Sequence, residues 1–189
     1  YYYSCFMWDV DKYILYNIMR KKRITLSESS QLLQDIHAHN VDLVNRTIFL
    51  HGHVGEYEDD PGTVYRSAVS FIKNLHWLES LGRSKITVKM NLEGGSWPNG
   101  MSIFDAIKAA KSKVSIISYA HATSMSGIIL QSANERILMP NTHFMLHYGS
   151  IGLDNTSQAA SETVKFNDKE CQKMLNIFSE RAVHGAFFK

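Results

Sequence analysis

Strand-like and helix-like segments alternate along the chain, and this alternation predicts an α/β fold with a largely parallel sheet. Residues 86–92 (ITVKMNL) alternate apolar with polar side chains, and residues 114–119 are rich in β-branched and aromatic side chains. A helix-like pattern follows each segment. Because right-handed crossovers return the chain to the same sheet, strands connected in this way pair in parallel. The chain has 189 residues and is 44% hydrophobic, which is enough for one domain core.

The other elements follow from the same patterns. The core begins with the alternating strand RTIFLHGHV from Arg46, and Asp60-Pro61 then has the residue types of a helix N-terminus. That helix ends by Gly82 and carries apolar residues at helical spacing, namely Val64, Ala68, Phe71, Ile72 and Leu75. Later predicted elements are a helix at 101–111, a helix at 124–134, a strand at 136–139 and a short apolar strand that ends at His147.

The two ends of the chain differ from this core. Residues 1–44 are predicted to form an amino-terminal extension, and residues 45–189 the domain itself. After His147 comes a long polar helix whose single apolar stripe is expected to need a partner surface. The stripe consists of Val164, Phe166, Met174, Leu175, Ile177 and Phe178. Because the chain begins without Met and stops at Lys189, we expect a fragment that is cut at both ends.

Composition excludes several classes of function. The net charge is +2 without a long block of like charges, which argues against nucleic acid as the main partner. The two cysteines have no zinc-type spacing, and their low number suits a reducing cytoplasm. No apolar run has membrane length and no signal peptide pattern is visible, so a soluble cytoplasmic protein that does not bind a membrane is expected.

Three short segments carry residues of types that can take part in catalysis. Ser124 lies where a strand passes into a helix, beside amide groups that can stabilise developing negative charge, although an ordinary serine N-cap is the commoner situation. Gly94 and Gly95 end a strand and would let backbone N–H groups approach a ligand, or simply form a turn. His147 ends another strand and could serve as the base that a serine nucleophile needs.

Taken together, these segments resemble the family of the Clp protease proteolytic subunit, ClpP. In that family a GG turn, a serine of ASM type at a helix start and a PN(S/T)-x-x-M-x-H strand follow one another. This chain has GGS at 94–96, GMSIFD at 100–105, TSM at 123–125 and PNTHFMLH at 140–147. The resemblance implies a ClpP/crotonase-like fold of repeated β-β-α units with a largely parallel sheet and a protruding strand-helix handle.

The resemblance also implies a role for each matching residue. Ser124 would be the nucleophile, His147 the general base, and Gly94 or Gly95 with the N–H of Met125 the oxyanion hole. The family's aspartate would lie beyond the end of this chain, and the role is not assigned to Asp154 or Asp168. Three departures from the family pattern occur: Thr123 replaces the usual Ala, Ser126 replaces the usual Gly and could crowd the serine's turn, and Trp97-Pro98 stands in the loop after the glycines.

The implied activity is that of an ATP-dependent serine endopeptidase, which requires no metal and no organic cofactor. Its partners would be unfolded proteins or peptides, an AAA+ unfoldase, and further copies of the same chain in a double ring of seven. The sequence contains no G-x-x-x-x-G-K-[ST] motif, so nucleotide use would belong to the unfoldase. Two alternatives stay open: a non-catalytic structural subunit of a Clp ring, and a crotonase-like enzyme that acts on an acyl-CoA.

Overall fold

The computed structural model describes residues 26–54, 65–149 and 156–182, which form five helices and six strands. In chain order these are α1 (Leu26–His39), β1 (Val41–Asp42), β2 (Thr47–Val54), α2 (Tyr65–Ser80), β3 (Ile86–Gly95), α3 (Trp97–Ala109), β4 (Val114–Thr123), α4 (Met125–Ser132), β5 (Glu135–Leu138), β6 (His143–Met145) and α5 (Ser157–Ala182).

The strands form one sheet in the order β1-β2-β3-β4-β5, with β6 paired to β4 as well. β1 and β2 are antiparallel, whereas the pairs β2–β3, β3–β4, β4–β5 and β4–β6 are parallel. The predicted α/β class with a largely parallel sheet is therefore confirmed. Because parallel strands end at a common edge, the carboxyl ends of β3, β4 and β6 lie together, and this is the edge where α/β proteins bind ligands.

The core beneath that edge is built from alternating strand residues and from helices. Ile86, Val88, Met90 and Leu92 are the buried alternate residues of β3. In α4 all eight residues are buried, as expected for a helix packed directly on the sheet. Full burial of a large aliphatic side chain contributes about 1.5–3 kcal/mol. The turn between β4 and α4 is thus held between two tightly packed elements.

β4 changes its partner halfway along its length. Residues from Ser115 to Ser118 pair with β5, and residues from His121 to Thr123 pair with β6. Between the two halves the register with β3 shifts, and Ala120 has a φ of 51°. Such an irregularity redirects a strand. It carries β4 on to Thr123, beyond the predicted end at residue 119, and so to the strand that precedes His147.

The helix predicted from Met101 begins earlier, at Trp97. The prediction that Trp97 and Pro98 lie in a loop is therefore wrong. Proline is tolerated in the first helical turn because the N–H that it lacks would have no partner there. Asp60 and Pro61 lie outside the described residues, and the helix that they were predicted to open is described from Tyr65.

The amino-terminal region is described only from residue 26. There α1 leads into β1, where Val41 pairs with Ile48 and is buried. The division of the chain at residues 44 and 45 stays a prediction, as does a separate role for residues 1–44.

The long polar helix predicted after His147 is present as α5, and only part of its apolar stripe is covered. Met174 is buried, and the ring of Phe178 meets that of Phe144 edge-on with centroids 6.0 Å apart. Val164, Phe166 and Leu175 stay exposed. The segment 150–155, where the strand of the expected handle could lie, is outside the described residues. No helix in the described ranges combines the length and the apolar content that crossing a membrane requires.

Glu79, at the end of α2, joins that helix to the loop between α3 and β4. Its Oε1 accepts hydrogen bonds from the backbone N–H groups of Lys111 and Ser112 at 2.7 and 2.8 Å, and lies 3.3 Å from Arg83 Nη1. Burial alone would raise the pKa of Glu79, but the two amides and the Arg83 guanidinium together lower this pKa below its ordinary value of 4.5.

Replacing Glu79 by alanine should lower the free energy of unfolding at neutral pH by about 1–2 kcal/mol, because two amides lose their acceptor. Since the pKa is lower in the folded state, the stabilisation from the charged form is complete above pH 4.5 and is lost as the pH falls through the folded value. Urea unfolding at neutral and acid pH should therefore show a difference between wild type and variant that shrinks in acid. Glu162→Ala, which removes an exposed carboxylate paired with Lys165, should change little. A difference that grows in acid would contradict this account of Glu79.

Candidate active site

Ser124 is the residue between β4 and α4, and its backbone has a conformation that residues with side chains rarely adopt. Its φ is 55° and its ψ is −126°. Such a conformation costs about 1–3 kcal/mol and persists only where the surroundings enforce it. The Ser124 N–H donates to the Met145 carbonyl at 2.9 Å, and the Ser124 carbonyl accepts from the Gly127 N–H at 3.1 Å. β6 and the first turn of α4 thus hold a sharp strand-to-helix turn.

The Ser124 hydroxyl does not cap α4, since it makes no side-chain hydrogen bond to the helix amides. Instead its Oγ lies 2.9 Å from Nε2 of His147. The interpretation of Ser124 as an ordinary N-cap therefore does not hold. Two residues that are separated by a helix and two strands in the sequence meet because β6 pairs with the last residues of β4.

The other ring nitrogen of His147 defines the tautomer. Nδ1 lies 2.7 Å from the carbonyl oxygen of Tyr148. A carbonyl oxygen only accepts, so Nδ1 carries the proton and Nε2 is left as the acceptor of the Ser124 O–H. In this state the imidazole can take a proton from the hydroxyl.

Gly94 lies directly against the serine turn. A Cβ at Gly94 would come within 2.9 Å of Ser124 Cβ, 3.0 Å of the Thr123 carbonyl oxygen and 3.2 Å of the Met125 nitrogen. Its φ of 122° and the φ of 131° at Gly95 also favour glycine. The strand β3 can therefore approach the turn only with glycine at this position.

The residues that flank Ser124 brace the turn. The Thr123 hydroxyl donates to the Glu93 carbonyl at 2.6 Å, which connects the end of β4 to the end of β3. Ser126 is fully buried, and its hydroxyl donates to the Thr123 carbonyl at 2.7 Å. The hydroxyl that Ser126 adds thus has a local hydrogen-bond partner and is not bonded to the Ser124 hydroxyl. That Ser126 crowds the turn stays a prediction.

Ser124 and His147 open into a cavity of about 810 Å³. Gly95 and Met125 line the same cavity, so four of the five predicted site residues share it, and Gly94 adjoins it through its contact with the serine turn. Met125 is the first residue of α4, and an N–H at that position has no partner within the helix. The remaining lining residues are Glu93, Ser96, Trp97, Pro98, His121, Thr123, Ile128, Met145, Gly149, Thr163, Phe166, Asn167, Glu170, Cys171 and Met174.

The contribution of α5 to this cavity was missed by sequence reasoning, which assigned the helix to assembly alone. Thr163, Asn167, Glu170 and Met174 recur at intervals of three and four residues and line one wall. The same periodicity is visible in the sequence, but these residues mix polar with apolar character and do not form a hydrophobic stripe. Nothing in that pattern indicates that they face a serine far earlier in the chain.

No carboxylate in residues 26–54, 65–149 and 156–182 forms a hydrogen bond with His147. Asp168 is an exposed residue of α5 and does not line the cavity, and Asp154 lies outside the described residues. The Tyr148 carbonyl occupies the side of the imidazole where an orienting carboxylate would act. A neutral carbonyl can hold the ring in position, but it stabilises a protonated imidazole less than a carboxylate does.

An α/β fold that places a serine hydroxyl on a histidine nitrogen, next to a helix N-terminus and a glycine pair, has the arrangement of a serine hydrolase site. Its chemistry would be attack on a carbonyl carbon, with nearby amides available to the oxygen that becomes negative.

Comparison with known proteins agrees with this class. The family model described as Clp protease matches residues 39–185. The ATP-dependent Clp protease proteolytic subunit 2 of Pseudomonas aeruginosa is 29% identical over 141 residues, which are 71% of this chain and 64% of the relative. The ATP-dependent Clp protease proteolytic subunit of Deinococcus radiodurans is 32% identical over 108 residues, 53% of each chain. That of Carsonella ruddii is 31% identical over 107 residues, 56% of this chain and 50% of the relative.

The chain belongs to the Clp protease family, since the family model covers most of its length. It spans between 50% and 64% of the length of the curated relatives described above. The predicted family is therefore confirmed.

Proposed function

We propose that this chain is a proteolytic subunit of an ATP-dependent Clp-type protease, a serine endopeptidase that hydrolyses peptide bonds of unfolded proteins. One observation carries the proposal: in a chain of the Clp protease family, Ser124 Oγ lies 2.9 Å from Nε2 of His147 at the wall of an open cavity. Neither a structural ring subunit nor a crotonase-like acyl-CoA enzyme needs this contact.

The proposed reaction proceeds in two stages. His147 Nε2 takes the hydroxyl proton as Ser124 Oγ attacks the scissile carbonyl, and the imidazolium then protonates the leaving amine. The resulting acyl-enzyme on Ser124 is hydrolysed by a water that His147 activates in turn. The Met125 N–H and the amide of Gly94 or Gly95 would stabilise the negative oxygen, and each such donor contributes about 3 kcal/mol. None of these steps calls for a metal or an organic cofactor.

We also propose that nucleotide hydrolysis belongs to a separate AAA+ unfoldase. Two findings support this division: the names of the relatives include ATP dependence, and this sequence has no G-x-x-x-x-G-K-[ST] motif. The unfoldase would deliver unfolded chains to a nucleophile that folded proteins cannot reach. The low cysteine content supports a cytoplasmic location.

We also propose that identical subunits assemble into a ring, and that two rings of seven stack as in the family that the chain resembles. The surface around the site supports this proposal. Phe144, Leu146 and Tyr148, which flank His147 in the sequence, are 43%, 40% and 64% exposed. Contiguous exposed apolar residues of this kind mark interaction surfaces. A neighbouring copy of the chain that covered them would also shield His147 and the serine from bulk solvent.

The proposal is tested by treating the full-length protein with a fluorophosphonate probe, which reacts with activated serines. We expect one label per chain, located on Ser124 by peptide mass mapping, and slower labelling when a cleavable peptide is present. Absence of labelling in folded, assembled protein would favour the structural ring subunit. Turnover of an acyl-CoA without labelling would favour the crotonase-like alternative.

A further inference from the structure

The wall of the cavity that α5 provides is not purely apolar. Asn167, Glu170, Cys171 and Met174 lie on one face of the helix and line the same cavity as Ser124. Glu170 is part-buried and places a carboxylate on this wall, and acidic groups in such places usually have a partner.

Oε2 of Glu170 is buried and has no hydrogen-bond partner in the part of the chain that the structure describes. A buried carboxylate oxygen without a donor is costly, and a donor that entered the cavity would remove that cost. Glu170 therefore holds an unused acceptor next to the site where a substrate would bind.

The charges around the cavity favour a positively charged ligand group. Among its described lining residues, Glu93 and Glu170 are carboxylates, and none is a lysine or an arginine. The side chain of Glu93 is 71% exposed and its Oε1 lies 3.9 Å from His121 Nε2. Water and that imidazole are therefore available to this carboxylate as partners. Glu170 is the carboxylate for which a bound ligand would supply the missing donor.

The other lining residues suit the stem of a long basic side chain. Met125, Ile128, Phe166 and Met174 supply apolar surface to the cavity. Lysine and arginine pack their methylene groups on such surface and keep a charged end group for a polar partner. Other serine proteases select basic side chains by a carboxylate in the substrate pocket.

We propose that Glu170 determines substrate specificity by binding a lysine or arginine side chain on the acyl side of the scissile bond. The inference rests on the proposed peptidase function and extends it from unfolded chains in general to cleavage after basic residues. Glu170 would bind substrate directly. It does not orient the base, because His147 Nδ1 is engaged by the Tyr148 carbonyl.

The test uses two fluorogenic peptides that differ only in the residue before the scissile bond, lysine in one and norleucine in the other. Norleucine keeps the aliphatic stem and lacks the charge. For the full-length wild-type protein we expect kcat/KM to be roughly tenfold or more higher for lysine, the size of a charge-assisted hydrogen bond. In Glu170→Gln the ratio of the two kcat/KM values, lysine over norleucine, should fall by roughly tenfold.

Glu162→Gln is the matched control, because it makes the same change on the same helix at an exposed position paired with Lys165. It should keep the lysine preference. Equal or higher kcat/KM for norleucine in the wild type would overturn the proposal without any variant, as would an unchanged preference in Glu170→Gln. If the norleucine peptide is cleaved, these results contradict only the specificity proposal, and the proposed peptidase function still stands. If neither peptide is cleaved and Ser124 is not labelled, both proposals fall together.

Discussion

Replacing Ser124 by alanine should lower kcat for peptide hydrolysis by about six orders of magnitude and abolish fluorophosphonate labelling. The variant keeps the cavity and the amides but lacks the oxygen that bonds to the substrate carbonyl. Its circular dichroism spectrum and native mass should match those of the wild type, because the Ser124 hydroxyl forms no helix-capping bond. Hydrolysis is best followed with a fluorogenic peptide and full-length protein.

Ser126→Ala is the matched control for this change. It removes a hydroxyl two residues further along, and that hydroxyl is committed to the Thr123 carbonyl. The control should lose some stability, about 1 kcal/mol for the hydrogen bond, and keep its labelling. If Ser124→Ala retained a substantial part of the wild-type rate in a preparation free of other peptidases, Ser124 would not be the nucleophile.

Replacing His147 by alanine should cause a loss of similar size, about five to six orders of magnitude in kcat, because no other described residue offers the serine a base within hydrogen-bond distance. The double variant Ser124→Ala, His147→Ala should be no slower than either single variant, since the two side chains act as one unit. Rates of all three variants, measured with the same peptide, form a double-mutant cycle. Additive losses would indicate that the 2.9 Å contact is not used in catalysis.

His76→Ala provides the control for loss of an imidazole. His76 is an exposed residue of α2 and does not line the cavity, so this variant should hydrolyse peptide at the wild-type rate. Loss of folding in His147→Ala, but not in His76→Ala, would instead assign His147 a structural role.

The strained serine turn shows why the fold and the site depend on one another. Ser124 keeps a positive φ because β6 holds its N–H, α4 holds its carbonyl and Gly94 leaves room for its Cβ. These contacts come from separate parts of the chain. Strain of this size persists only when packing elsewhere more than offsets it, as the fully buried α4 does here.

Several features could be predicted from the sequence because they depend on local pattern. Alternation in ITVKMNL places its apolar side chains on one face, and the structure buries those residues in β3. The strand-to-helix junction at Ser124 follows from a β-branched run that gives way to a buried helix. The boundaries of the elements were predicted less accurately. Trp97 and Pro98 were predicted to lie in a loop, yet they form the first turn of α3, where proline is tolerated.

What lies across the cavity from the serine could not be predicted. The face of α5 that carries Glu170 is mixed in character, and only tertiary packing brings it to the serine. The same holds for the Tyr148 carbonyl at His147, because a backbone acceptor leaves no residue-type signature in a sequence.

The sequence by itself thus determined the α/β class, the order of the elements and the glycine, serine and histidine residues worth considering, because these follow from short-range periodicity and residue chemistry. Only the tertiary structure decided that the serine hydroxyl meets the imidazole, how that imidazole is held and which helix closes the cavity. Those distances arise from parallel pairing and helix packing between segments far apart in the chain, and local pattern carries no information about them.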